Sequence, residues 1–320
     1  MNKLFPALIL SIVVLLQCAS GARAESLRVA TSTSGWAIWI AKEMGFFEEA
    51  GVDVEVELVA SGVAAGGGLI DGNYDVATMS GFAFVARSFN HPDLRVIGTV
   101  ASIANVHLIA RADRGISGPA DLKGKRIGLR GGSISEFFLG RLLDLHKVRP
   151  TDIKTVDIAP PDLPKALSDG VVDAIVSWQP YAKQAADGLG IPSVDITVQG
   201  GQSYYFDLVV RKQTLTQRRG DLKRLLEALV RASEWASANE EAAKTLLSEA
   251  LDVDRRDIDT FWHSHSIDVA LSQDMIFLME QEAVWRVANG YSEGAVPDFL
   301  ERIDTELLSE IDPVLVTVIE

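Results

Sequence analysis

Cysteine and histidine are scarce in this chain, and their scarcity argues against most metal and thiol chemistry. Cys18 is the only cysteine, and the five histidines form no zinc-ligand spacing and no HExxH run. His263 and His265 are two residues apart on a predicted helix, so they do not share a face. A nucleophile elbow and a Walker lysine motif are also missing. We therefore expect no metal, no cofactor and no catalytic residues, and a binding protein rather than an enzyme.

Positive charge is also in short supply. Lys and Arg number 30 against 44 Asp and Glu, which gives a formal net charge of −14. Nucleic acid selects clustered Lys and Arg, so this balance argues against a nucleic-acid partner. The hydrophobic fraction of 48% with 7% aromatic residues is ordinary for a globular protein. Beyond its first 24 residues the sequence has no low-complexity linker and no apolar run of membrane-spanning length. We therefore expect a soluble monomer that binds a small molecule.

The first 24 residues have the pattern of an export signal. Lys3 supplies a positive start, residues 8–16 form an apolar run that only Ser11 interrupts, and Ala22-Arg23-Ala24 is a small-x-small cleavage signature. The run is too short for a permanent transmembrane helix. We expect cleavage after Ala24 and a periplasmic location. The alternative is a lipoprotein anchored through Cys18, although the preceding residue is not the small one that such a signal requires.

A short pattern occurs twice, 98 residues apart. Residues 69–77 return as residues 167–175 with the Leu, the Asp-Gly pair and the second Asp in place, and residues 28–31 align with residues 126–129. Both copies predict strand, polar loop, helix, strand, helix, Asp-Gly turn and strand. Similarity at a fixed offset indicates a duplicated architecture. The sequence therefore predicts two similar α/β lobes with a cleft between them.

The predicted elements divide the mature chain into these lobes. Strands that alternate with helices predict a mostly parallel sheet. Residues 204–212 form a strand whose counterpart is residues 106–111, and we interpret it as the return crossing into the first lobe. We predict residues 25–110 and 205–320 as lobe one and residues 111–204 as lobe two. The hinge would consist of crossings near residues 110 and 205, and the chain would be helical after residue 215.

Several segments resemble a known family. They are residues 121–128, residues 166–174, the run Trp178-Gln179-Pro180, and residues 45–51. In these segments the chain is similar to the substrate-binding proteins of ABC importers of the nitrate, taurine and alkanesulfonate group. The resemblance covers most of residues 27–215. It implies a two-lobed, hinged, type II periplasmic-binding-protein fold that delivers its ligand to an ABC permease in the membrane.

The candidate binding site lies in four loops. Ligands of open α/β sheets bind beyond the carboxyl ends of the strands, which selects residues 31–36, 80–82, 131–135 and 178–181. The 98-residue offset pairs the same loops, with Ser80 matching Trp178. The candidate substrate-binding residues, including two beside the predicted crossings, are Thr33, Trp36, Ser80, Gly81, Phe82, Asn105, Gly132, Ser133, Ser135, Trp178 and Tyr205.

Ser133 has two compatible interpretations. With Glu136 three positions later it forms a capping box, a structural role that needs no ligand. Two glycines before a helix start also make an anion site from free N–H groups, and the resemblance implies that this loop holds an oxyanion head group. The carboxylate of Glu136 would compete for the same positive helix end. The sequence leaves both interpretations open.

The aromatic candidates are each more typical of a core than of a ligand contact. Trp178 is the exception, because its strand ends at a Gln-Pro turn, and we expect it to form a cleft wall. Asp207 is the nearest acid for an ammonium group, but strand alternation predicts that it points away. We expect a small sulfonate-like anion of the taurine, alkanesulfonate or nitrate class, bound by hinge closure that the permease recognises. The alternatives are a pyrimidine or other aromatic solute, and an enzyme on the same fold.

Overall fold

The computed structural model of the protein describes residues 25–319. The predicted signal peptide, with Cys18, lies outside these residues. Within them, no helix combines the length and the apolar character needed to cross a membrane.

The strands and helices alternate along the first two thirds of the described chain. The strands are β1 (Leu27–Thr31), β2 (Val54–Leu58), β3 (Val76–Ser80), β4 (Leu94–Ile103), β5 (Val106–Arg111), β6 (Arg126–Leu129), β7 (Lys154–Asp157), β8 (Ala174–Trp178), β9 (Ser193–Thr197), β10 (Tyr204–Arg211) and β11 (His265–Ser266). The helices are α1 (Trp36–Glu43), α2 (Phe46–Glu49), α3 (Gly62–Ile70), α4 (Gly81–Ser88), α5 (Ile134–Leu145), α6 (Leu163–Ser168), α7 (Tyr181–Asp187), α8 (Lys212–Gln217), α9 (Arg219–Ala238), α10 (Glu240–Leu251), α11 (Arg255–Phe261), α12 (Gln273–Ala288) and α13 (Glu306–Ser309).

The strands form two sheets with the same internal order. The first runs β2-β1-β3-β10-β4-β11 and the second runs β7-β6-β8-β5-β9. In each, three strands of a βαβαβ unit are parallel, and one strand from outside that unit pairs antiparallel with the third: β10 with β3, and β5 with β8. β5 and β10 therefore occupy equivalent places in the two sheets, as the sequence predicted for residues 106–111 and the strand that begins at Tyr204. The fold is α/β and two-lobed, as predicted.

The 98-residue repeat has a structural cause. The backbone N–H and Nε of Arg28 donate to Oδ2 of Asp75 at 3.0 and 3.4 Å, and its Nη2 donates to the carbonyl of Gly72 at 3.0 Å. Arg126 makes the same three contacts with Asp173 and the carbonyl of Gly170, at 2.9, 3.2 and 2.8 Å. Each clamp ties the first strand of a lobe to the Asp-Gly turn before its third strand. The repeated residues therefore hold the scaffold.

The first crossing between the sheets lies upstream of its predicted place. β4 belongs to the first sheet and β5 to the second, so the chain crosses at residues 104–105 rather than near residue 110. β5 lies entirely in the second sheet because β8 and β9 flank it on both sides. The second crossing lies between β9 and β10. β5 therefore belongs to the second lobe and not, as predicted, to the first. For the rest of the chain, the division into residues 25–110 with 205–320 and residues 111–204 stays a prediction.

The side chain of Gln199 connects the two crossings. Its Oε1 accepts the N–H of Val106 at 2.7 Å, and its Nε2 donates to the carbonyls of Ile103 and Gln202 at 3.2 and 2.7 Å. Gln199 is buried, so these bonds are shielded from water. One amide thus holds the end of β4, the start of β5 and the segment before β10 together.

The tail after residue 215 is mostly helical, but not entirely. α12 packs against α4 and buries Ile276, Met279 and Ala283. The prediction of a helix over His263 and His265 is wrong: a 3₁₀ turn contains the first, and β11 contains the second. β11 extends the first sheet by pairing antiparallel with the end of β4. That pairing places part of the tail next to the first crossing.

Candidate functional site

A cavity lies where the two sheets face each other. Its lining comes from the carboxyl ends of β1, β2, β3, β6 and β8 with the segments that follow them, and from the start of β10 in the first sheet. The lining residues are Ser32, Ser34, Gly62, Val63, Ser80, Ala83, Ser133, Ile134, Trp178, Tyr204 and Phe206. The loops that follow the carboxyl ends of the strands therefore meet at this cavity, as expected for an open α/β sheet.

Three helices begin at the cavity wall. α3 and α4 start in the first lobe and α5 starts in the second; α4 follows β3 directly, and the other two follow a short loop after a strand. The first N–H groups of a helix have no intrahelical partner, and the helix dipole adds positive potential there. Within residues 25–319, none of the side chains that line this cavity carries a formal charge. The arrangement offers an anion oriented N–H groups and hydroxyls.

Serine side chains cap all three of these helix starts. The Oγ of Ser61 accepts the N–H of Ala64, and the Oγ of Ser80 accepts the N–H of Ala83, both at 3.3 Å. A hydroxyl that accepts in this way can still donate its own proton to a ligand. Ser133 differs, since its Oγ accepts the N–H of Ser135 and donates its proton to a backbone carbonyl at 2.6 Å. Of the two predicted serines that line this cavity, Ser80 is thus the better placed donor.

The predicted capping box at α5 forms with altered partners. Ser133 caps Ser135, the second helical residue, and the carboxylate of Glu136 accepts the N–H of Gly132 at 3.2 Å. Burial raises the pKa of Glu136, while its bond to Gly132 and the charge of Arg286 oppose that rise. The Gly132 amide is thus already bonded by Glu136, and the expected competition with a ligand stays a prediction. Ser133 and Ile134 line the cavity at this helix start, whereas Gly132 does not.

A second cavity adjoins the first. The two share Ser34, so the loop after β1 separates them. Its lining includes the predicted residues Thr33, Trp36 and Asn105, and it also uses the tail of the chain. The lining residues are Thr33, Ser34, Trp36, Asn105, Gln179, Pro180, Leu251, Val253, Ile258, Phe261 and His265.

The ring of Trp36 is fixed between two side chains of the tail. It stacks on His265 with ring centroids 3.8 Å apart and on Trp262 at 5.4 Å. Complete burial lowers the pKa of His265 to about 3, so the imidazole is uncharged at neutral pH. The second cavity, like the first, has no formally charged side chain in its wall within residues 25–319.

Five predicted site residues lie outside the lining of both cavities: Gly81, Phe82, Gly132, Ser135 and Tyr205. Phe82 is fully buried and stacks on Phe137 with centroids 5.4 Å apart, which places it in the core. Tyr205 alternates with Tyr204 and Phe206, the residues of β10 that do line the first cavity. The binding role assigned to these five residues stays a prediction.

Asp207 points away from the first cavity, as its place in the alternation predicts. Its carboxyl is fully buried. Oδ2 of Asp207 and Oε2 of Glu282 both lie next to Gly81, at 3.5 and 3.4 Å from the position that a Cβ on this glycine would take. Burial raises the pKa of both carboxyls well above their usual range. Neither carboxyl lines a cavity, so among the described residues no acid faces either cavity to pair with an ammonium group.

Sequence reasoning missed two parts of the site. Gly62 and Val63 begin the helix that follows β2, just as residues 81 and 82 begin the helix that follows β3. Ser61 caps the first of these helices and could have indicated its start. The tail residues 251–265 carry no such signal, because their pattern is that of ordinary packing. Groups of three or more potential metal-ligand side chains in metal-binding proximity do not occur in the described part of the chain.

Two sheets of equal strand order around a neutral cavity define a protein of the type II periplasmic-binding-protein fold. The profile of the NMT1/THI5-like family matches residues 33–243, about two thirds of the sequence. The chain belongs to this family.

Individual relatives are distant. A Bacillus subtilis protein named for binding aliphatic sulfonates is 24% identical over 298 residues, covering 88% of this chain and 89% of the relative. A 2'-hydroxybiphenyl-2-sulfinate desulfinase of Rhodococcus erythropolis is 24% identical over 275 residues, covering 68% and 74%. The crystal structure of the periplasmic aliphatic sulphonate binding protein from Escherichia coli matches with a TM-score of 0.72 at 20% identity, covering 88% of this chain and 98% of that one.

Proposed function

We propose that this protein is a periplasmic solute-binding protein that captures a small sulfonate-like anion between its lobes and delivers it to an ABC importer. The observation that carries the proposal is the first cavity, where three helix starts and serine hydroxyls surround a space to which the described residues contribute no formally charged side chain. Oriented N–H and O–H groups can hold a permanently ionised head group without a counter-ion. A sulfonate meets that requirement because it stays ionised at every physiological pH.

The remaining walls suit the carbon portion of such an anion. Trp178, Tyr204 and Phe206 present large apolar surfaces, and small-molecule sites combine such surfaces with a few polar groups that fix orientation. The indole Nε1 of Trp178 is buried without a hydrogen-bond partner among the described residues. A ligand oxygen would supply that partner.

The proposed location and transport role rest on other support. The first 24 residues have the pattern of an export signal, and the Escherichia coli structure is that of a periplasmic aliphatic sulphonate binding protein. The Bacillus subtilis relative is also named for sulfonates. Closure about the two crossings would trap the ligand and create the surface that a permease recognises.

Calorimetric titration of the mature chain, residues 25–320, tests the proposal. Methanesulfonate, taurine and nitrate are the probes, and we expect saturable binding of at least one with a change in tryptophan fluorescence. Ser80→Ala should weaken binding at least tenfold, since it removes a hydroxyl at the cavity wall. Ser88→Ala is the matched control, because Ser88 is equally buried at the far end of α4 and bonds the carbonyl of Phe84.

The outcomes separate the alternatives. If no anion binds, or if both serine variants bind like the parent protein, the proposed site is wrong. Binding of a pyrimidine without any sulfonate would favour the aromatic-solute alternative. The desulfinase relative makes turnover worth measuring, so mass spectrometry of each probe after incubation is included; a converted probe would establish an enzyme.

A further inference from the structure

We propose that the end of helix α12 is a strap between the two lobes, in which the ring of Trp285 sits in a notch over Gly140 of α5 and stabilises the closed arrangement of the lobes. The strap consists of Trp285 and Arg286 with their contacts to α5. It is built from protein contacts alone, so it is tested in the ligand-free protein and independently of the proposed function.

The strap joins elements that belong to different sheets. α12 packs against α4 and β10, and these two elements pack or pair within the first sheet and its helices. α5 packs against β5 and β8 of the second sheet. The contact between α12 and α5 therefore ties the two lobes together outside the two crossings.

The notch exists because residue 140 is a glycine. A Cβ at Gly140 would overlap Cζ2 of Trp285 and lie 2.9 Å from its Cη2, whereas non-bonded carbon atoms prefer about 3.5–4.0 Å. Gly140 is buried in the middle of α5, where glycine is less favourable to the helix than alanine. This glycine thus weakens α5 locally and makes room for the ring of the other lobe.

Neighbouring side chains hold the ring of Trp285 in the notch. Its Nε1 donates to Oδ2 of Asp144, one turn further along α5, at 3.4 Å. The ring of Tyr291 stacks on it with centroids 5.3 Å apart, and Phe137 of α5 meets it edge-on at 5.6 Å. Because the ring is fixed on several sides, an atom added at residue 140 would push α5 away rather than turn the ring.

Arg286 adds a second contact beside the ring. Its Nη1 lies 3.7 Å from Oε2 of Glu136 in the first turn of α5, and both side chains are largely buried. Charges in such places are screened by salt less than exposed charges are. The guanidinium also lies over the ring of Phe82 of α4, 5.0 Å from its centroid. The strap therefore contacts α5 from its first turn to Asp144.

The closed arrangement shuts the first cavity. Apart from the half-buried Val63, every residue that lines this cavity is buried. A solute enters when the lobes move apart, and rotation of one lobe against the other displaces α5 relative to α12. The ring of Trp285 must then leave the notch. The strength of the strap therefore sets how often the cavity opens.

A distance between the lobes measures this opening directly. The mature chain, residues 25–320, has no cysteine of its own. Spin labels on Glu55→Cys and Lys154→Cys report on the lobes, since both positions are exposed and lie on β2 and β7, equivalent edge strands of the two sheets. Pulsed electron paramagnetic resonance gives the distribution of distances between the labels. We expect one narrow population in the ligand-free parent protein.

Trp285→Ala removes the strap's ring. We expect a second distance population, because loss of a large apolar contact shifts the equilibrium between closed and open arrangements by about tenfold to a hundredfold. Trp235→Ala is the matched control, since Trp235 is a partly buried tryptophan of α9, which packs against α1 and α2 of the first lobe. Its distance distribution should equal that of the parent protein.

Gly140→Ala distinguishes the notch from a general loss of packing. Alanine favours a helix over glycine, so a rise in melting temperature is expected at Gly67→Ala in α3, where a Cβ meets nothing within 4 Å. At residue 140 the methyl group meets the ring, so we expect a lower melting temperature and a second distance population. With Trp285→Ala in the same chain the methyl group has room, and Gly140→Ala should raise the melting temperature instead.

An unchanged distance distribution in both Trp285→Ala and Gly140→Ala would overturn the proposal. An effect of Gly140→Ala that is the same with and without Trp285 would also overturn it. If Trp285→Ala does not fold, Gly140→Ala decides alone: a second population supports the strap, and a single unchanged one contradicts it. Failure of every anion to bind would contradict the proposed function and would leave these outcomes as they are.

Discussion

The two copies of the βα unit share a scaffold but differ where they reach the ligand cavity. Arg28 and Arg126 make the same bonds to the Asp-Gly segment 44 to 47 residues later. At the carboxyl end of the third strand, however, one copy has Ser80 and the other has Trp178. Ser80 caps α4, whereas α7 begins without a side-chain cap. The comparison teaches that residues inside the scaffold preserve the repeat, while residues at the strand ends differ: one copy contributes a hydroxyl and the other an apolar wall to the first cavity.

The largest expected effect is the loss of the wall. Trp178→Ala removes most of a large apolar side chain from the first cavity, and we expect affinity for the bound anion to fall by about 1.5–3 kcal/mol, or about tenfold to a hundredfold. Trp235→Ala is the control, because Trp235 is a half-buried tail residue outside both cavities. Calorimetry beside melting temperatures distinguishes them. Unchanged affinity in Trp178→Ala would remove the functional difference between the two copies.

The two clamps should have similar but unequal effects on stability. Asp75→Asn and Asp173→Asn each weaken charge-assisted bonds, and we expect a loss of about 1–3 kcal/mol in the free energy of unfolding. Asp173 should cost more, because it also accepts Nη2 of Arg126 at 2.7 Å and lies 3.8 Å from Arg114. Urea denaturation measures both. A destabilisation confined to one copy would contradict an equivalent structural role.

The second clamp also predicts a pH dependence. Hydrogen bonding to Arg126 lowers the pKa of Asp173 below its usual value. A lowered folded-state pKa stabilises the fold above the unfolded pKa, and this stabilisation is lost as the pH falls through the folded value. The difference in stability between the parent protein and Asp173→Asn should therefore shrink below about pH 4. Denaturation curves across that range check it, and a difference that is constant with pH would contradict the assignment.

The smallest expected effect separates the two capping serines. Ser133→Ala should cost about 0.5–2 kcal/mol of stability, as loss of an N-cap does. Its effect on affinity should be smaller than that of Ser80→Ala, since the Ser133 hydroxyl already donates its proton within the protein. Paired titrations and thermal melts measure both quantities. A larger affinity loss at Ser133 would restore the anion interpretation of the loop before α5 in its original form.

Much of the scaffold could be predicted because its signals are local. The alternation of strands and helices, the Asp-Gly turns and the capping serines depend on residues a few positions apart. Four of the five loops that meet at the first cavity follow from strand ends and the 98-residue offset. The alternation along β10 likewise predicted that Asp207 points away from the cavity. Applied to the whole strand, the same alternation would have predicted Tyr204 and Phe206, rather than Tyr205, as lining residues.

The sequence by itself determined the duplicated α/β units and the strand ends that form the first cavity, because short-range patterns encode both. Only the tertiary structure decided that β5 joins the second sheet, that β11 extends the first, and that the tail encloses the second cavity. Those contacts join distant segments: Gln199 bonds Val106 across 93 residues, and His265 stacks on Trp36. Neither partner carries a local mark of the other, so their pairing arises only when the whole chain packs.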